Sequence, residues 1–424
     1  MMQDIADLLF HDKTYKRDKW MEIFRDDVWK PILEAPLAEH RELAYRQLKK
    51  VASSGIVSVL NFKDDPTNIF TAHEMIGTVS GSTATKFTVH YNLFGGSIFA
   101  LHTERHRWIF EKLDKLEITG CFCLTELGYG NNAVEMETTA TYDEKTQEFI
   151  VNTPTTLAQK YWITNGSVHA NQALVFAQTI VKGKNEGVNA FLVPIRDSNL
   201  KKFPGVEINE MGYKIGLNGV DNAALLFHDV RIPRTNMMNK FSDVDAEGKF
   251  KSDIKGIQQR FFKVTERLLS GRLCIASMTI GALKRTIYTT IKYSQQRMGV
   301  SPNGKSETPI FDYQLQKNAL VPIVARTMGL NMLHNYAKET FQNPKGHEHD
   351  LLMICCVDKT LIGWHTERAS AIMRERCGGQ GFLACNAFGE AICASHAALT
   401  AEGDNRVLMI KVVKDMLTIF SKNP

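Results

Sequence analysis

The spacing of apolar residues changes twice along the chain, and each change predicts a domain boundary. Through the first 118 residues, apolar side chains recur at helical spacing in stretches such as WMEIFRDDVWKPILEAPL and ELAYRQLKKVASSGIVSVL. Residues 119–233 form short segments rich in Val, Ile, Thr and aromatic residues, separated by Gly, Asn, Asp and Pro turns. Helical spacing then returns. We therefore predict three domains, over residues 1–118, 119–233 and 234–424.

These segments predict an α+β multidomain fold in which two helical domains flank a β domain. The central segment is typical of an antiparallel β-barrel or sandwich, because its strands are short and regularly separated by turns. The last segment contains four long amphipathic stretches with short links, which predicts an antiparallel four-helix bundle. These stretches are residues 258–296, 314–341, 349–376 and 387–420.

Composition indicates a soluble protein and argues against nucleic-acid binding. The chain has 424 residues, of which 44% are hydrophobic and 23% are charged, as in ordinary globular proteins of two or three domains. Its formal net charge of +5 is spread along the sequence rather than gathered in an arm. Nucleic acid is therefore not an expected partner, whereas a modest positive field would suit an anionic small molecule.

Cysteine spacing and the termini define the compartment only in part. None of the eight cysteines forms a CxxC pair, which predicts reduced, buried thiols in an intracellular protein. His347 and His349 flank Glu348 in a polar loop that we interpret as solvated, and we predict no metal site. No secretory signal, no membrane span of roughly 18 apolar residues and no peroxisomal SKL ending is present. Peroxisome, mitochondrion and cytoplasm remain alternatives.

Two stretches of the predicted β domain combine glycine, threonine and an aromatic residue in ways that suit a flat cofactor. CFCLTELGYGNN contains Thr125 and Gly130 in a loop whose N–H groups could hold a flavin edge or a phosphate, or form an ordinary glycine-rich turn. In YWITNG, Trp162 and Thr164 would lie on one side of an extended segment if Ile163 points to the other. That pair could pack on a flavin ring, although a core tryptophan is the alternative.

The helical bundle contains further candidates for contact with phosphate. The glycines of the CGGQGF stretch could let the backbone approach a pyrophosphate closely, or they could form a helix-breaking turn. The stretch does not match the GxGxxG motif that follows a strand in dinucleotide-binding proteins. Arg297 could pair with a phosphate, and Gln314 with an adenine or a pyrophosphate oxygen. The glycines concerned are Gly378, Gly379 and Gly381.

Glu402, in TAEGDN, is the candidate catalytic base. It stands at the start of the last predicted helix, beside Gly403, where an apolar environment would raise its pKa toward neutrality. The alternative is an acidic residue that complements the helix dipole.

Taken together, these stretches resemble the acyl-CoA oxidase and acyl-CoA dehydrogenase flavoprotein superfamily over nearly the whole chain. ETTATYDEKTQEFIVNTPTTLAQKYWITNG, ETPIFDYQLQKNALVPIVA and MRERCGGQGF are similar to oxidase segments in particular. The resemblance implies FAD as cofactor, an acyl-CoA as substrate, and α,β-dehydrogenation to a trans-2-enoyl-CoA in fatty-acid β-oxidation. It also implies a homodimer or tetramer.

The resemblance assigns roles to individual residues. Glu402 matches the catalytic base, and Arg267 and Gly403 match substrate contacts. Asn131 is a third implied substrate contact, at a position where the superfamily usually has serine or threonine. Some of the FAD-contacting positions would reach the neighbouring subunit's FAD. The implied FAD contacts are Thr125, Gly130, Trp162, Thr164, Arg297, Gln314, Gly378, Gly379, Gly381, Asp404 and Asn405.

Three questions remain open on the sequence alone. Motifs favour an oxidase that reduces oxygen to hydrogen peroxide, whereas the sequence stops about one helix after Glu402, as in dehydrogenases that pass electrons to an electron-transferring flavoprotein. Glu266 aligns with the place where a few relatives keep an alternative base. A flavin-binding homologue without turnover is a third hypothesis, for which Asn131 is the one hint.

Overall fold

The computed structural model describes residues 9, 14–130, 132–265, 268–347 and 350–422, and its order of elements is the predicted one. The first domain is helical. Its helices are α1 (Thr14–Ile23), α2 (Leu37–Ser53), α3 (Asn61–Asp64), α4 (Pro66–Val79), α5 (Gly81–Phe87), α6 (Gly96–Leu101) and α7 (Ile109–Asp114).

A π-helical segment joins α5 to α6 without a break. It spans Thr88–Gly95 and is almost entirely buried, so its wider turns lie inside the protein rather than at the surface. Such segments are rare and concentrate at functional sites. Here the segment contacts both neighbouring domains, because Asn92 accepts a hydrogen bond from Ser270 of the bundle and His90 accepts one from the Gly120 N–H of the first strand.

The central domain consists of two packed β-sheets. The larger has β1 (Gly120–Cys123), β2 (Thr139–Asp143), β3 (Glu148–Asn152), β5 (Gln172–Val181), β6 (Lys184–Pro194) and β9 (Val230–Pro233), and the smaller has β4 (Lys160–Ile163), β7 (Val206–Glu210) and β8 (Ala223–Phe227). A continuous apolar core fills the space between them.

The pairing of these strands differs from the expected all-antiparallel arrangement. Strands β1 and β2 both run parallel to β5, and the other pairs are antiparallel. The reason is that β1 and β2 lie end to end along the same edge of β5, at Gln172–Val175 and Gln178–Ile180. The residues between them leave the sheet as a loop, and this loop carries Thr125 and Gly130.

Strand structure extends beyond the predicted boundary at residue 233. The hairpin of β10 (Ser242–Val244) and β11 (Phe250–Ser252) follows, and Val244 and Phe250 pack on the core of the central domain. A buried ion pair between Lys86 and Asp221 ties the first domain to the second. Burial opposes ionisation of Asp221, yet the Lys86 ammonium and His169 hold the pKa of its carboxyl well below the usual range.

The C-terminal domain is a bundle of long helices, and two of the stretches predicted as single helices, 258–296 and 387–420, are each divided into two helices. It contains α8 (Ile257–Val264), α9 (Leu268–Gln296), the hairpin β12 (Met298–Val300) and β13 (Ser306–Pro309), α10 (Gln314–Gln342), α11 (Leu351–Arg376), α12 (Phe388–Thr400) and α13 (Asn405–Lys422). The predicted helix over residues 387–420 is therefore two helices. The interruption falls at Glu402 and Gly403, whose φ values of 57° and 106° are left-handed.

Across the described part of the chain, every helix is too short or too polar to cross a lipid bilayer. The described residues also contain no group of three or more His, Cys, Asp or Glu side chains arranged to hold a metal ion. Glu348 and His349, the other members of the His347 loop, lie outside the described residues.

Candidate active site

The carboxylate of Glu402 packs directly on the backbone of helix α9. A Cβ atom added to Gly271 would lie 2.6 Å from Cδ and Oε2 of Glu402 and 2.8 Å from Oε1. Only a glycine at residue 271 leaves room for the carboxylate in this position. The turn between α12 and α13 thus delivers an acidic group against the first turn of α9.

Burial raises the pKa of Glu402 to about 7, and the positive charges of Arg272 and Lys359 oppose the rise. The ordinary value for a glutamate is 4.5. A carboxyl group with a pKa near 7 is suited to accept a proton at neutral pH. The predicted catalytic position therefore has the electrostatic property of a general base.

The residues that follow Glu402 hold its turn. The Asp404 Oδ1 accepts the N–H groups of Arg406 at 2.9 Å and Val407 at 3.2 Å, which caps helix α13. Asn405 is 2% exposed and donates through Nδ2 to the Thr360 carbonyl, while its Oδ1 accepts from Lys359. The side chain of Asn405 is thus engaged within the chain, and the cofactor contact expected for it stays a prediction.

Thr125 and Trp162 are brought together by backbone hydrogen bonds that join the β1–β2 loop to β4 and to the segment before it. The Tyr161 N–H donates to the Thr125 carbonyl at 2.9 Å, and the Gly128 N–H donates to the Leu157 carbonyl at 3.0 Å. Gly130, farther along the loop, is exposed. The two predicted flavin-contacting stretches are therefore neighbours in space.

Trp162 is exposed, and Ile163 beside it is buried. The Trp162 φ of 60° is unusual for a large side chain and coincides with an irregularity in the β4–β8 pairing. The side chain is 57% exposed, whereas Ile163 is 2% exposed on the opposite side. Asn222 donates to the Thr164 hydroxyl oxygen at 3.1 Å, which leaves the hydroxyl hydrogen available to a further acceptor.

A buried ion pair joins Glu126, which follows Thr125, to Lys160, which lies two residues before Trp162. Lys160 and Glu126 have no exposed side-chain surface, and Lys160 Nζ donates to Glu126 Oε1 at 2.9 Å and to the Phe176 carbonyl at 2.8 Å. Glu126 also accepts the N–H groups of Glu137 and Thr138. Burial lowers the pKa of the Lys160 ammonium, and the Glu126 carboxylate opposes that shift. The pair fixes the β1–β2 loop to β4, and sequence inspection did not find it.

We expect Lys160→Met to destabilise the protein by about 3–5 kcal/mol, because Glu126 is left as a buried charge without its partner. The measurement is thermal unfolding, together with the amount of flavin that copurifies. Lys184→Met, at a lysine that is 75% exposed, is the control and should change neither quantity. Adding Glu126→Gln to Lys160→Met should restore part of the stability, and equal stability of wild type and Lys160→Met would contradict the assigned role.

The remaining predicted cofactor residues lie at the other end of the bundle. Gln316, in the first turn of α10, donates to Ser294 Oγ at 2.9 Å and to the Arg376 carbonyl at 3.1 Å, which joins the ends of α9, α10 and α11. Helix α9 has 29 residues and is therefore about 44 Å long. Glu402 packs near one end of α9, and the remaining predicted cofactor residues lie at the other end. They are Arg297, Gln314, Gly378, Gly379 and Gly381.

The glycines of CGGQGF are not equivalent. A Cβ at Gly381 would meet the Arg374 carbonyl oxygen at far less than contact distance, so this glycine is required by packing at the end of α11. Gly378 and Gly379 are exposed and have no neighbour within 4 Å of such an atom. Only the latter two present open backbone to a ligand.

Two substrate positions expected from the sequence, Asn131 and Arg267, lie outside the described residues, as does the alternative base Glu266. The positive charges that the structure does place near Glu402 belong to Arg272 and Lys359. Sequence inspection missed Arg272, Gly271 and Lys359. Helical periodicity offered a partial signal for Arg272 and Gly271, because it places both on the helix that packs against the Glu402 turn.

The bundle interior also contains a serine–histidine–aspartate chain of hydrogen bonds. Ser277 Oγ lies 2.8 Å from His334 Nε2, and His334 Nδ1 lies 2.8 Å from Asp358 Oδ2. All three side chains are at most 1% exposed. A hydrolytic triad must present its hydroxyl to a substrate, so this buried chain is a polar link between α9, α10 and α11.

Comparison with known proteins agrees with the geometry. The family model "Acyl-CoA dehydrogenase, middle domain" matches residues 121–230, and "Acyl-CoA oxidase, C-alpha1 domain" matches residues 266–417. The chain is 39% identical over 408 residues to acyl-coenzyme A oxidase 2, peroxisomal, of Arabidopsis thaliana, covering 93% of this chain and 59% of that protein.

Solved structures show the same architecture. Acyl-CoA oxidase 1 from Yarrowia lipolytica has a TM-score of 0.86 at 26% identity, over 100% of this chain and 65% of that one. Acyl-CoA oxidase-2 of Caenorhabditis elegans, bound with FAD, ascaroside-CoA and ATP, has a TM-score of 0.83 at 23% identity, over 97% of this chain and 63% of that one. The chain spans less than two thirds of the length of each of these relatives. It belongs to the acyl-CoA oxidase and acyl-CoA dehydrogenase superfamily.

Proposed function

We propose that this chain carries out the FAD-dependent α,β-dehydrogenation of a fatty acyl-CoA to a trans-2-enoyl-CoA, a step of fatty-acid β-oxidation. The observation that carries the proposal is the carboxylate of Glu402, which has a pKa of about 7 and is fixed against Gly271 on a left-handed turn. Names of relatives supply the substrate class, since the Arabidopsis and Yarrowia proteins are acyl-CoA oxidases.

The chain's own residues provide a base and its alignment. Glu402 takes the proton from the carbon next to the thioester carbonyl, where the thioester makes that proton acidic. Arg272 and Lys359 supply positive charge near the carboxylate and keep its pKa from rising further. The N–H of Glu402 is the candidate donor to the thioester oxygen, where it would stabilise the charge that develops as the proton leaves.

The residues of the β domain fit a flavin. Trp162 offers an exposed ring, Thr164 has a hydroxyl hydrogen available to an acceptor, and Thr125 lies on the adjoining loop. When bound, FAD accepts the hydride from the β carbon. The FAD in the C. elegans oxidase shows that a protein of this fold holds the cofactor.

The second group of cofactor residues supports a homodimer or a larger assembly of dimers. Arg297, Gln314 and Gly378 are exposed at the end of the bundle far from Glu402, where one chain cannot direct them at its own active site. Large apolar side chains stand beside them, with Phe382 83% and Leu315 71% exposed. Exposed apolar surface of this kind is typical of a protein interface, and we propose that these residues meet the FAD of a second copy.

Oxygen is the proposed electron acceptor, and an electron-transferring flavoprotein is the second candidate. The oxidase-type family model over residues 266–417 favours oxygen. Adding an acyl-CoA to the flavin-loaded protein in air should release one hydrogen peroxide per enoyl-CoA formed, measured with a peroxidase-coupled dye. Bleaching of the flavin under nitrogen with no peroxide in air would favour the flavoprotein acceptor, and a yellow protein that no acyl-CoA bleaches would indicate a non-catalytic homologue.

A further inference from the structure

The left-handed turn that carries Glu402 requires an outside support. A left-handed conformation costs a residue with a side chain about 1–2 kcal/mol of conformational free energy. Glu402 adopts this conformation, with a φ of 57°. Gly403 follows with a φ of 106°. A strained residue of this kind keeps its conformation only where its surroundings determine it.

Lys359 on helix α11 provides that support. Its Nζ donates to the Gly403 carbonyl and to Asn405 Oδ1, both at 2.7 Å, so its two acceptors lie one and three residues beyond Glu402. The lysine has no exposed surface. One turn along α11, Gly363 leaves room for the side-chain amide of Asn405, which a Cβ would approach to 3.3 Å. Helix α11 thus has a lysine and a glycine shaped to hold this turn.

The same lysine acts on the charge of the base. Burial lowers the pKa of Lys359 to about 8, and Glu402 is the first of the charges that raise it again. The other groups that act on Lys359 are Arg272 of α9, Asp404 of the turn and Cys356 of its own helix. Since a neighbouring cation favours the ionised carboxylate, Lys359 and Arg272 together oppose the effect of burial on Glu402.

We propose that Lys359 is a positioning residue for the base: it fixes the Glu402 turn against Gly271 and supplies part of the charge that keeps the carboxylate ionised. The inference rests on the proposed function, because Glu402 must be the base. Lys359 itself does not touch the substrate. Its contribution is to the alignment of the carboxylate and to the pH range in which the carboxylate is active.

The experiment isolates proton removal from the redox step. A 3-thia-acyl-CoA has sulfur in place of the β carbon and has no β hydride to transfer, so the enzyme can only exchange its α hydrogen. In D2O, Glu402 takes the α proton and a solvent deuteron replaces it, and mass spectrometry measures the exchange. The variants are Lys359→Met, Lys359→Arg and the control Lys411→Met, at a lysine of α13 that is 51% exposed.

We expect Lys359→Met to lower the exchange rate by about 100-fold, because the carboxylate is no longer held in place. The acid limb of the exchange rate, centred near the pKa of about 7 for Glu402, should move to higher pH in this variant. Lys359→Arg keeps the charge and the hydrogen-bond donors, so its exchange rate should be at least tenfold higher than that of Lys359→Met. The exchange rate of Lys411→Met should match wild type. If Lys359→Met does not fold, Asn405→Ala removes one acceptor and should lower the rate about tenfold.

The outcomes separate the two levels of the proposal. Wild-type protein that exchanges no α hydrogen would overturn the proposed function and the role of Lys359 together. Normal exchange by wild type, with an unchanged rate and acid limb in Lys359→Met, would overturn only the role of Lys359. A lower rate with an unmoved acid limb and no recovery in Lys359→Arg would indicate general destabilisation and would also overturn it.

Discussion

Glu402→Gln is expected to slow reduction of the flavin by acyl-CoA by at least about 100-fold while flavin and ligand still bind. Glutamine has nearly the same shape as glutamate but cannot take a proton from the α carbon. A positioned general base contributes about 10²- to 10⁴-fold to a rate, so bleaching of the flavin, followed by stopped-flow absorbance, should fall by that factor. The control is Glu390→Gln, at an acidic residue near the start of α12 that is 44% exposed and paired with Arg285, and this variant should behave as wild type.

The pH dependence of wild type gives an independent check on Glu402. The base must be deprotonated to act, and its pKa is about 7. The rate of bleaching should therefore rise about tenfold per pH unit below 7 and level off above it. An acid limb near the ordinary glutamate value of 4.5, or normal bleaching in Glu402→Gln, would contradict the assignment. In the second case Glu266→Gln becomes the informative variant.

Glu402→Gln should also change the free energy of unfolding, and the change depends on pH. Because the pKa of Glu402 is raised in the folded protein, the folded state holds this proton more tightly than the unfolded state. The resulting stabilisation is fully present below the unfolded pKa and is lost as pH rises through about 7. Glu402→Gln removes this dependence, so the variant should melt at a higher temperature than wild type at pH 8 and show no such gain at pH 4.

Periodicity was sufficient for the domain order because burial imposes it directly on the sequence. The change from helical spacing to short turn-separated segments predicted a β domain between two helical domains, and the condition set on YWITNG is met, because Trp162 is exposed and Ile163 is buried. The parallel pairing of β1 and β2 with β5 was not predictable in this way. It depends on two segments meeting the same edge of a third, and parallel and antiparallel strands here have similar local patterns.

The break at Glu402 and the charges around it show why the site was only partly predictable. Apolar spacing continues from α12 into α13, so it indicated one helix, and Gly403 was the one local signal of an interruption. Lys359 and Lys160 act through partners that are distant in the sequence. Nothing near a lysine in the sequence distinguishes a buried one from the solvated majority.

Gly271→Ala is expected to lower kcat by about 100-fold with little change in the binding of acyl-CoA. The added Cβ would lie 2.6 Å from Glu402 Cδ, where normal contact requires more than 3 Å, so the carboxylate must move. The hydrogen bond from Lys359 to the Gly403 carbonyl opposes movement of the turn as a whole. Displacing a catalytic group by about 1 Å can cost about 100-fold in rate, and a loss confined to kcat is the sign of poor alignment rather than of weaker ground-state binding.

The matched control for Gly271→Ala is Gly329→Ala in helix α10, where nothing lies within 4 Å of the added atom. Both substitutions improve helix propensity by about 0.5–1 kcal/mol, so Gly329→Ala should melt slightly higher and keep full activity. In Gly271→Ala the same gain is opposed by an overpacking cost of about 1–3 kcal/mol. An unchanged kcat in Gly271→Ala would contradict the assigned position of the catalytic carboxylate. A carboxylate in contact with residue 271 must move when a Cβ is added there, so an unaffected base would have to act from another position.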